Sequence, residues 1–520
     1  MCAVRQNIKH RAAAAVIHDI FNLAIIPCEK YMANKAQRNL NLSFWLLAIS
    51  LIIVLTLPVL IQDGMFMDAV LYTSVSHNLS QGVGTFWFPQ FSLHNISGMR
   101  AFHEQPPLVF GIQSIFYRIF GESMYVERFY TFLTLCCNTV LIVLLWKEIN
   151  KNRGNVKKLG WLPLILWIII PVCFWSFSNN MHENTMSVFT LSAALCVYKT
   201  FSQKYFSLSF NILSGVFIFL ATFSKGIPGF FPITMPILYW LVNRNFGLKK
   251  ALAQSLFITA IPVSAYAVLL LLPESSGSLT TYFFERVLHR INSVPTVDSH
   301  FYILFRLIIE LLPPLLITGA VLLFEKVSTK KTISTINLRE GFFFIFVGLA
   351  ASVPLMLTLV QKGFYFVPAL PFFALGLSSF TGPFLSDRID RIQLQNRSFR
   401  WFLFISVFIF ISATGFAVLQ KGKTSRNQAM LHDVYLIGKI VPKKSTIDIL
   451  PEMWNYWDLQ CYLMRYFTIS CDTKDQNVFF INDKTLGLKI PEHYEKVPIK
   501  TFQFDLYKNK TKRFKKTETN

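Results

Sequence analysis

The chain of 520 residues is 53% hydrophobic and only 15% charged, with 52 Phe and a mean hydropathy of +0.44. Soluble domains carry about 25% charged residues, so a soluble enzyme is excluded, and repeated apolar runs of bilayer-crossing length mark a polytopic membrane protein. The net charge of +22 therefore reads as a topology marker, because basic residues collect in loops kept in the cytoplasm, and not as a nucleic-acid surface.

Along the chain, a mixed segment at 1–42 lacks a cleavable signal pattern, so the first apolar run is expected to be an uncleaved anchor. Eleven spans are predicted at 43–61, 128–146, 160–178, 183–201, 205–223, 226–242, 251–272, 301–324, 341–360, 364–384 and 399–419. Basic connections at 147–158, Lys199 with Lys204, Arg244 with Lys249 and Lys250, 326–339 and 388–400 alternate with connections poor in Lys and Arg. That alternation puts the N-terminus in the cytoplasm and the C-terminus outside. The stretch 106–121 opens on Pro106-Pro107 and reads as a juxtamembrane or re-entrant helix in a first outer loop spanning 62–127; counting it as a crossing raises the total to 12 or 13.

After the spans, 420–507 changes character. Strand-like stretches at 446–450, 466–470, 477–481 and 499–506, with a helix near 453–465, predict a small extracytoplasmic α/β domain. The basic end 508–520 has no apolar pattern and is expected to be disordered. Cys461 and Cys471 are either a disulfide of an oxidising compartment or two free thiols. No Walker loop, GxGxxG, HExxH or internal repeat occurs.

Ionisable groups at membrane depth are costly and default to functional candidates. The first outer loop offers Asp63, Asp68, His77, His94, Arg100, His103 and Glu104 among Phe86, Trp87, Phe88 and Phe91. Asp68, Tyr72 and Val75 share one face of a helical pattern. The blander reading is a solvated loop with belt aromatics. Short outer connections add His182-Glu183-Asn184 and the Lys225 of FSKGIPG. A point cation there suits a phosphate, against plain snorkelling, and Glu183 also suits a helix N-terminus. The connection 273–300, with Glu285, Arg286, His289, Arg290, Asp298 and His300, is long enough for a lid. Asn78 and Asn95 head glycosylation sequons, but glycans there would obstruct the loop, which favours a bacterial inner membrane.

These residues carry a family resemblance. MDAVLYTSVSHNLSQG, then HEQPPLVFGIQSIFYRIFGES and ER, resembles the first outer loop of the dolichyl-phosphate-mannose protein mannosyltransferases and bacterial lipid A aminoarabinose transferases. Asp68 and Tyr72 match the acid four positions before a Tyr. Glu104, Pro106 and Pro107 match a Glu-x-Pro-Pro motif, Phe120-Gly121 the helix end, and Arg128 the following Arg. Ser224-Lys225-Gly226 resembles the Ser-Lys-Gly segment, and Tyr365, Pro368 and Pro371 the late Tyr-x-x-Pro-x-x-Pro stretch; together they cover 60–385 in order.

The resemblance implies an inverting glycosyltransferase that moves a sugar from a polyprenyl-phosphate donor to a lipid, glycan or protein acceptor outside the membrane. Asp68 would be its base, with Asp63 as the competing carboxylate; Glu104 and Glu183 are further catalytic candidates. Lys225, Tyr72, Tyr365 and Arg100 are candidates for the donor phosphate, Arg100 standing in for a family Lys where this chain has Gln105. A divalent metal is a further implication, with Glu104, His103, His289 and His300 as candidate ligands. Departures include Ala69, where the family commonly has a second acid. The rival class is a transporter or flippase of lipid-linked sugars. It would place charge inside the spans, where only Arg306 and Glu310 stand out, four residues apart.

Overall fold

The computed structural model describes residues 40–93, 101–203, 206–288, 295–329, 337–391, 397–487 and 489–512. The helices are, in chain order, α1 (Leu40–Leu60), α2 (Met67–Ser80), α3 (Leu108–Phe120), α4 (Tyr125–Ile149), α5 (Trp161–Ile168), α6 (Pro171–Phe177), α7 (His182–Phe201) and α8 (Leu208–Lys225). There follow α9 (Met235–Val242), α10 (Leu248–Leu271), α11 (Pro273–Thr281), α12 (Tyr302–Thr329), α13 (Leu338–Ser352), α14 (Leu370–Asp390) and α15 (Arg397–Val418). Every predicted span is helical, and the chain is a multi-pass membrane protein. Among the described residues seven helices are long and apolar enough to cross a bilayer: α1, α4, α8, α10, α12, α13 with its trailing turn, and α15.

The other four predicted crossings are interrupted or open on polar residues. Pro171 starts α6 afresh after α5, because it cannot donate to the preceding turn. Pro228 and Pro232 keep Ile227–Thr234 in a 3-10 helix ahead of α9. A 3-10 turn at Gly363–Phe366 precedes α14. Continuous α7 opens on His182, Glu183, Asn184 and Thr185. Irregular or polar backbone at membrane depth is tolerated where protein buries it or a cavity needs it. The ends of α7 and α8 and the 363–366 turn all carry predicted site residues.

Arg306 and Glu310 form a closed brace. Glu310 is 1% exposed, accepts from Arg306 at 2.6 Å, and accepts the Val172 N–H of α6 at 2.8 Å. It thereby caps the broken helix, whose first amides have no partner within their own helix. This is a structural use of the charge, not the lining of a path. In the connection between α1 and α4, α3 is only 13 residues long, about 20 Å, too short to cross. Its Ile115, Ile119 and Phe120 are exposed while Val109, Phe110, Gln113 and Tyr117 are buried, as a juxtamembrane helix requires.

The C-terminal part holds α16 (Gln428–Ile440), β1 (Thr446–Ile449), α17 (Trp457–Phe467), β2 (Ser470–Asp472), β3 (Phe479–Asp483), β4 (Tyr494–Lys496) and β5 (Phe504–Asn509). The sheet order is β2-β1-β3-β5-β4; β1 runs parallel to β2 and β3, while β5 pairs antiparallel with β3 and β4. Two expected strands shift. In the stretch 466–470, Tyr466 and Phe467 end α17, Thr468 closes the helix at φ 54°, and strand β2 starts only at Ser470. The stretch 499–506 becomes strand only from Phe504, because buried Asp433 accepts the N–H groups of Phe502, Gln503 and Phe504. Cys461 and Cys471 are buried free thiols, not a disulfide. Burial holds Cys461 well above the ordinary thiol range and Cys471 at about 12, so neither is a ready nucleophile. Of the end 508–520, expected to be disordered, Lys508 and Asn509 instead belong to strand β5, paired with β3 and β4, while 513–520 and the segment 1–39 lie outside the described residues.

Candidate active site

The site assembles where two antiparallel helices end side by side. Glu183 lies in the first turn of α7 and Lys225 in the last turn of α8. Each charge therefore sits at the helix end whose dipole favours it. Lys225 Nζ is 3.2 Å from Glu183 Oε1, with side-chain exposures of 7% and 1%. Neither carboxylate oxygen has an aligned hydrogen bond, so the contact is a Coulombic pair. The aligned bond of Lys225 runs to the hydroxyl of Tyr72, at 3.2 Å, and the ammonium also lies 4.7 Å from that ring's centroid.

Tyr72 is the centre of the cluster. It lies one turn after Asp68 on α2 and is 4% exposed, whereas Asp68 is half-buried. Burial pushes the phenol well above its usual range, with the charges of Asp68 and Glu183, then Tyr365 and Glu104, adding to the shift. Tyr72 therefore stays a neutral hydroxyl, ringed by the residues the sequence singles out. Gln105 Nε2 approaches the same hydroxyl at 3.5 Å, in the place where the resemblance leads one to expect a Lys. Tyr365 stands on the 3-10 turn before α14, and electrostatically it faces Tyr72.

Segment 273–288 packs over this centre. Glu104 pairs with Arg286 at 2.5 Å, joining the Glu-x-Pro-Pro motif to the connection after α10. Gly226 has φ +95°, which favours glycine, and a Cβ there would displace the Tyr282 hydroxyl. Neither Tyr282 nor the partner of Arg286 is visible in the sequence pattern. His182 was flagged only by its place beside Glu183. It is fully buried, lies 4.3 Å from the Tyr72 ring and 4.8 Å from Phe110, and neither ring nitrogen has a hydrogen-bond partner.

Other candidates fall elsewhere. The Asp63 carboxylate accepts from Tyr435 at 2.6 Å, Tyr466 at 2.5 Å and the Gly64 N–H at 2.7 Å, with Arg128 at 3.6 Å. Those contacts tie Asp63, the alternative base, to the C-terminal domain. The neighbouring Glu127 is held by Arg465 at 2.8 Å and Tyr117 at 2.9 Å. Arg128 meanwhile donates to the Gln62 and Met124 carbonyls. The Glu-Arg pair after α3 is thus a joint to the C-terminal domain.

Of the candidate metal ligands, the described ones, Glu104, His103 and His300, have separate partners. Glu104 is engaged by Arg286, His103 Nδ1 lies 3.5 Å from Ser278 Oγ, and exposed His300 contacts the Met356 carbonyl at 2.6 Å. Among the described residues no three His, Cys, Asp or Glu side chains form a metal-binding group. Burial, followed by the opposing charges of Glu285 and Arg286, lowers His103 from its ordinary range. Arg100, His289 and the Asn95 sequon lie outside the described residues. Asn78 is fully buried and donates to the Gln90 and Phe91 carbonyls, which leaves no room for a glycan.

No family model and no curated protein sequence matches this chain. Solved structures do. The crystal structure of ArnT from Cupriavidus metallidurans bound to undecaprenyl phosphate is similar with a TM-score of 0.58 at 13% identity, over 89% of this chain and 97% of that one. Its apo form gives 0.59 at 12%, with the same coverage. The archaeal oligosaccharyltransferase AglB from Archaeoglobus fulgidus, in complex with an inhibitory peptide and a dolichol-phosphate, gives 0.45 at 14%, over 84% of this chain and 64% of that one. The chain has the fold of ArnT over nearly its whole length.

Proposed function

We propose that this protein is a membrane glycosyltransferase that moves a sugar from a polyprenyl-phosphate donor to a lipid, glycan or protein acceptor, with inversion at the anomeric carbon. The observation that carries the reading is the Tyr72 centre, where a buried cation, a neutral phenol and a half-buried carboxylate meet within one helical turn of α2. The likeness to ArnT bound to undecaprenyl phosphate supports a phosphate-bearing lipid as donor.

In the reaction, Asp68 takes the acceptor's hydroxyl or amine proton as the acceptor atom bonds to the anomeric carbon. The bond from that carbon to the donor's phosphate oxygen breaks, and its electron pair stays on the phosphate. Lys225 and the Tyr72 hydroxyl stabilise that growing charge from fixed positions in a water-poor site. The leaving group is already a good one, so no strong general acid is needed. Glu183 is too buried to meet an acceptor, and its role is to hold Lys225 in place. Glu104 holds segment 273–288 over the donor site through Arg286. No step is assigned to a metal.

The active face is read as extracytoplasmic from the charge alternation of the loops, and the membrane as a bacterial inner membrane because glycans at the sequons would obstruct the site. The test is direct. The purified chain is incubated with a panel of polyprenyl-phosphate sugars and acceptors, and transfer is followed by mass. Transfer by wild type that is lost in Asp68→Asn supports the reading; no transfer from any donor returns the weight to the transporter class.

A further inference from the structure

We propose that the opposite face of the protein carries a binding pocket for a zwitterion that joins an ammonium to a phosphate, as a phosphatidylethanolamine headgroup does. The inference does not depend on the proposed reaction. Along α7, Glu183 and Phe201 lie about 27 Å apart at 1.5 Å per residue. At the far end, a cavity of about 210 Å³ opens where α4 and α7 finish and α13 begins.

The two ends of this cavity differ in charge. The inner wall is aromatic and acidic. The Tyr198 hydroxyl donates to Glu340 Oε2 at 2.7 Å, which leaves Oε1 to accept from a ligand. Phe201 and Tyr239 stack at 4.0 Å beside it. A carboxylate flanked by ring faces favours a compact cation. The rim is basic and exposed, formed by Lys151, Asn152 and Arg153. Lys151 lies 2.9 Å from Glu148 and is shared with Ser202, whereas Arg153 has no ion-pair partner among the described residues.

A simple anion would meet Glu340 and Glu148, and a simple cation would meet Lys151 and Arg153. One molecule carrying both charges satisfies both ends. Leu241, Leu338 and Phe342, on the helices that flank the cavity, are more than 40% exposed and offer acyl chains a surface. That favours a lipid source for the headgroup over a soluble one.

The test reconstitutes the full chain in phosphatidylglycerol nanodiscs doped with phosphatidylethanolamine, and reads retained lipid by native mass spectrometry. Wild type should retain phosphatidylethanolamine preferentially. Glu340→Gln keeps an acceptor for Tyr198 but loses the charge, and should cut that preference about tenfold. Lys151→Ala with Arg153→Ala should lower retention of both lipids, and Tyr239→Leu gives a second inner-wall variant if Glu340→Gln folds poorly. In a parallel arm, soluble phosphoethanolamine is added to detergent-purified protein. A Glu340-dependent rise in thermal midpoint in this arm alone assigns the same pocket to a soluble ligand. Equal retention of the two lipids by wild type with no response in that arm, or retention unchanged in both inner-wall variants, overturns the proposal.

Discussion

Glu183→Gln tests whether Lys225 is a phosphate ligand or only half of a structural ion pair. The two side chains are 1% and 7% exposed and 3.2 Å apart. An amide of the same shape leaves the ammonium buried, with the Tyr72 hydroxyl and ring as its remaining contacts. Removing one partner of a buried pair costs about 3–5 kcal/mol, because the other becomes an uncompensated charge. The unliganded variant should therefore unfold at a clearly lower temperature than wild type.

Ligand should reverse part of that loss. In wild type an arriving phosphate shares Lys225 with Glu183; in the variant it supplies the missing counter-charge. Recovering even about 1.4 kcal/mol would tighten the phosphate lipid tenfold. The assay is thermal unfolding in detergent across a titration of undecaprenyl phosphate. The midpoint shift should be larger in Glu183→Gln than in wild type. Combining Glu183→Gln with Lys225→Met removes both charges, should restore much of the stability, and should abolish the shift, since neutral replacements of a buried pair are often tolerated. Equal shifts in wild type and Glu183→Gln, or a response that persists in the double variant, would refute the role given to Lys225.

Three further outcomes are expected. Asp68→Asn should lower kcat about 10²–10⁴-fold with donor binding retained, measured by transfer rate against lipid titration. Asp63→Asn should leave the rate per folded molecule near wild type, yet weaken the C-terminal joint by about 1.5–3 kcal/mol through its charge-assisted bonds to Tyr435 and Tyr466, read as earlier proteolytic release of that domain. Burial, reinforced by the Arg465 and Lys443 charges, lowers His77 from 6.5 to about 3. The unfolded chain therefore binds the extra proton between those values. Stability is fully present above pH 6.5 and falls by about 1.4 kcal/mol per unit as pH drops toward 3. His77→Gln should flatten that acid limb in urea titrations at stepped pH.

What could be read from the sequence follows from how local each signal is. Apolar runs locate all eleven helical segments because burial in lipid is a property of consecutive residues. The breaks at Ile169–Pro171, Gly226–Thr234 and Gly363–Phe366 do not stand out from hydropathy, because they lie within or at the edge of apolar runs; at the first, Glu310, 138 residues away, caps α6. In the site, Asp68, Tyr72, Glu104, Glu183, Lys225 and Tyr365 converge as named. Their division of labour was hidden. Nothing in the string says that Glu183 is sealed against Lys225, that Arg286 reaches Glu104, or that Tyr435 and Tyr466 occupy Asp63 from 372 and 403 residues away.

Those long-range contacts also bear on what the C-terminal domain is for. A domain that only gathers acceptors would touch the membrane part through an exposed, separable surface. Here α17 lies directly against the helix that carries Asp68 and Tyr72. Ser74 of α2 donates to the Cys461 carbonyl at 3.1 Å, and the Tyr462 hydroxyl bonds both the N–H and the carbonyl of Met65, just ahead of α2. Fully buried Arg465 binds Glu127 and the carbonyls of Glu122 and Ser123, fixing the start of α4. Asp68 is close enough to raise the Cys461 thiol, after burial and Asp458. The domain therefore sets the position of α2, and with it that of Asp68 and Tyr72. Arg465→Ala, which strands Glu127, should reduce kcat even for acceptors too small to contact the domain; a change confined to KM for large acceptors would show that the domain only binds them.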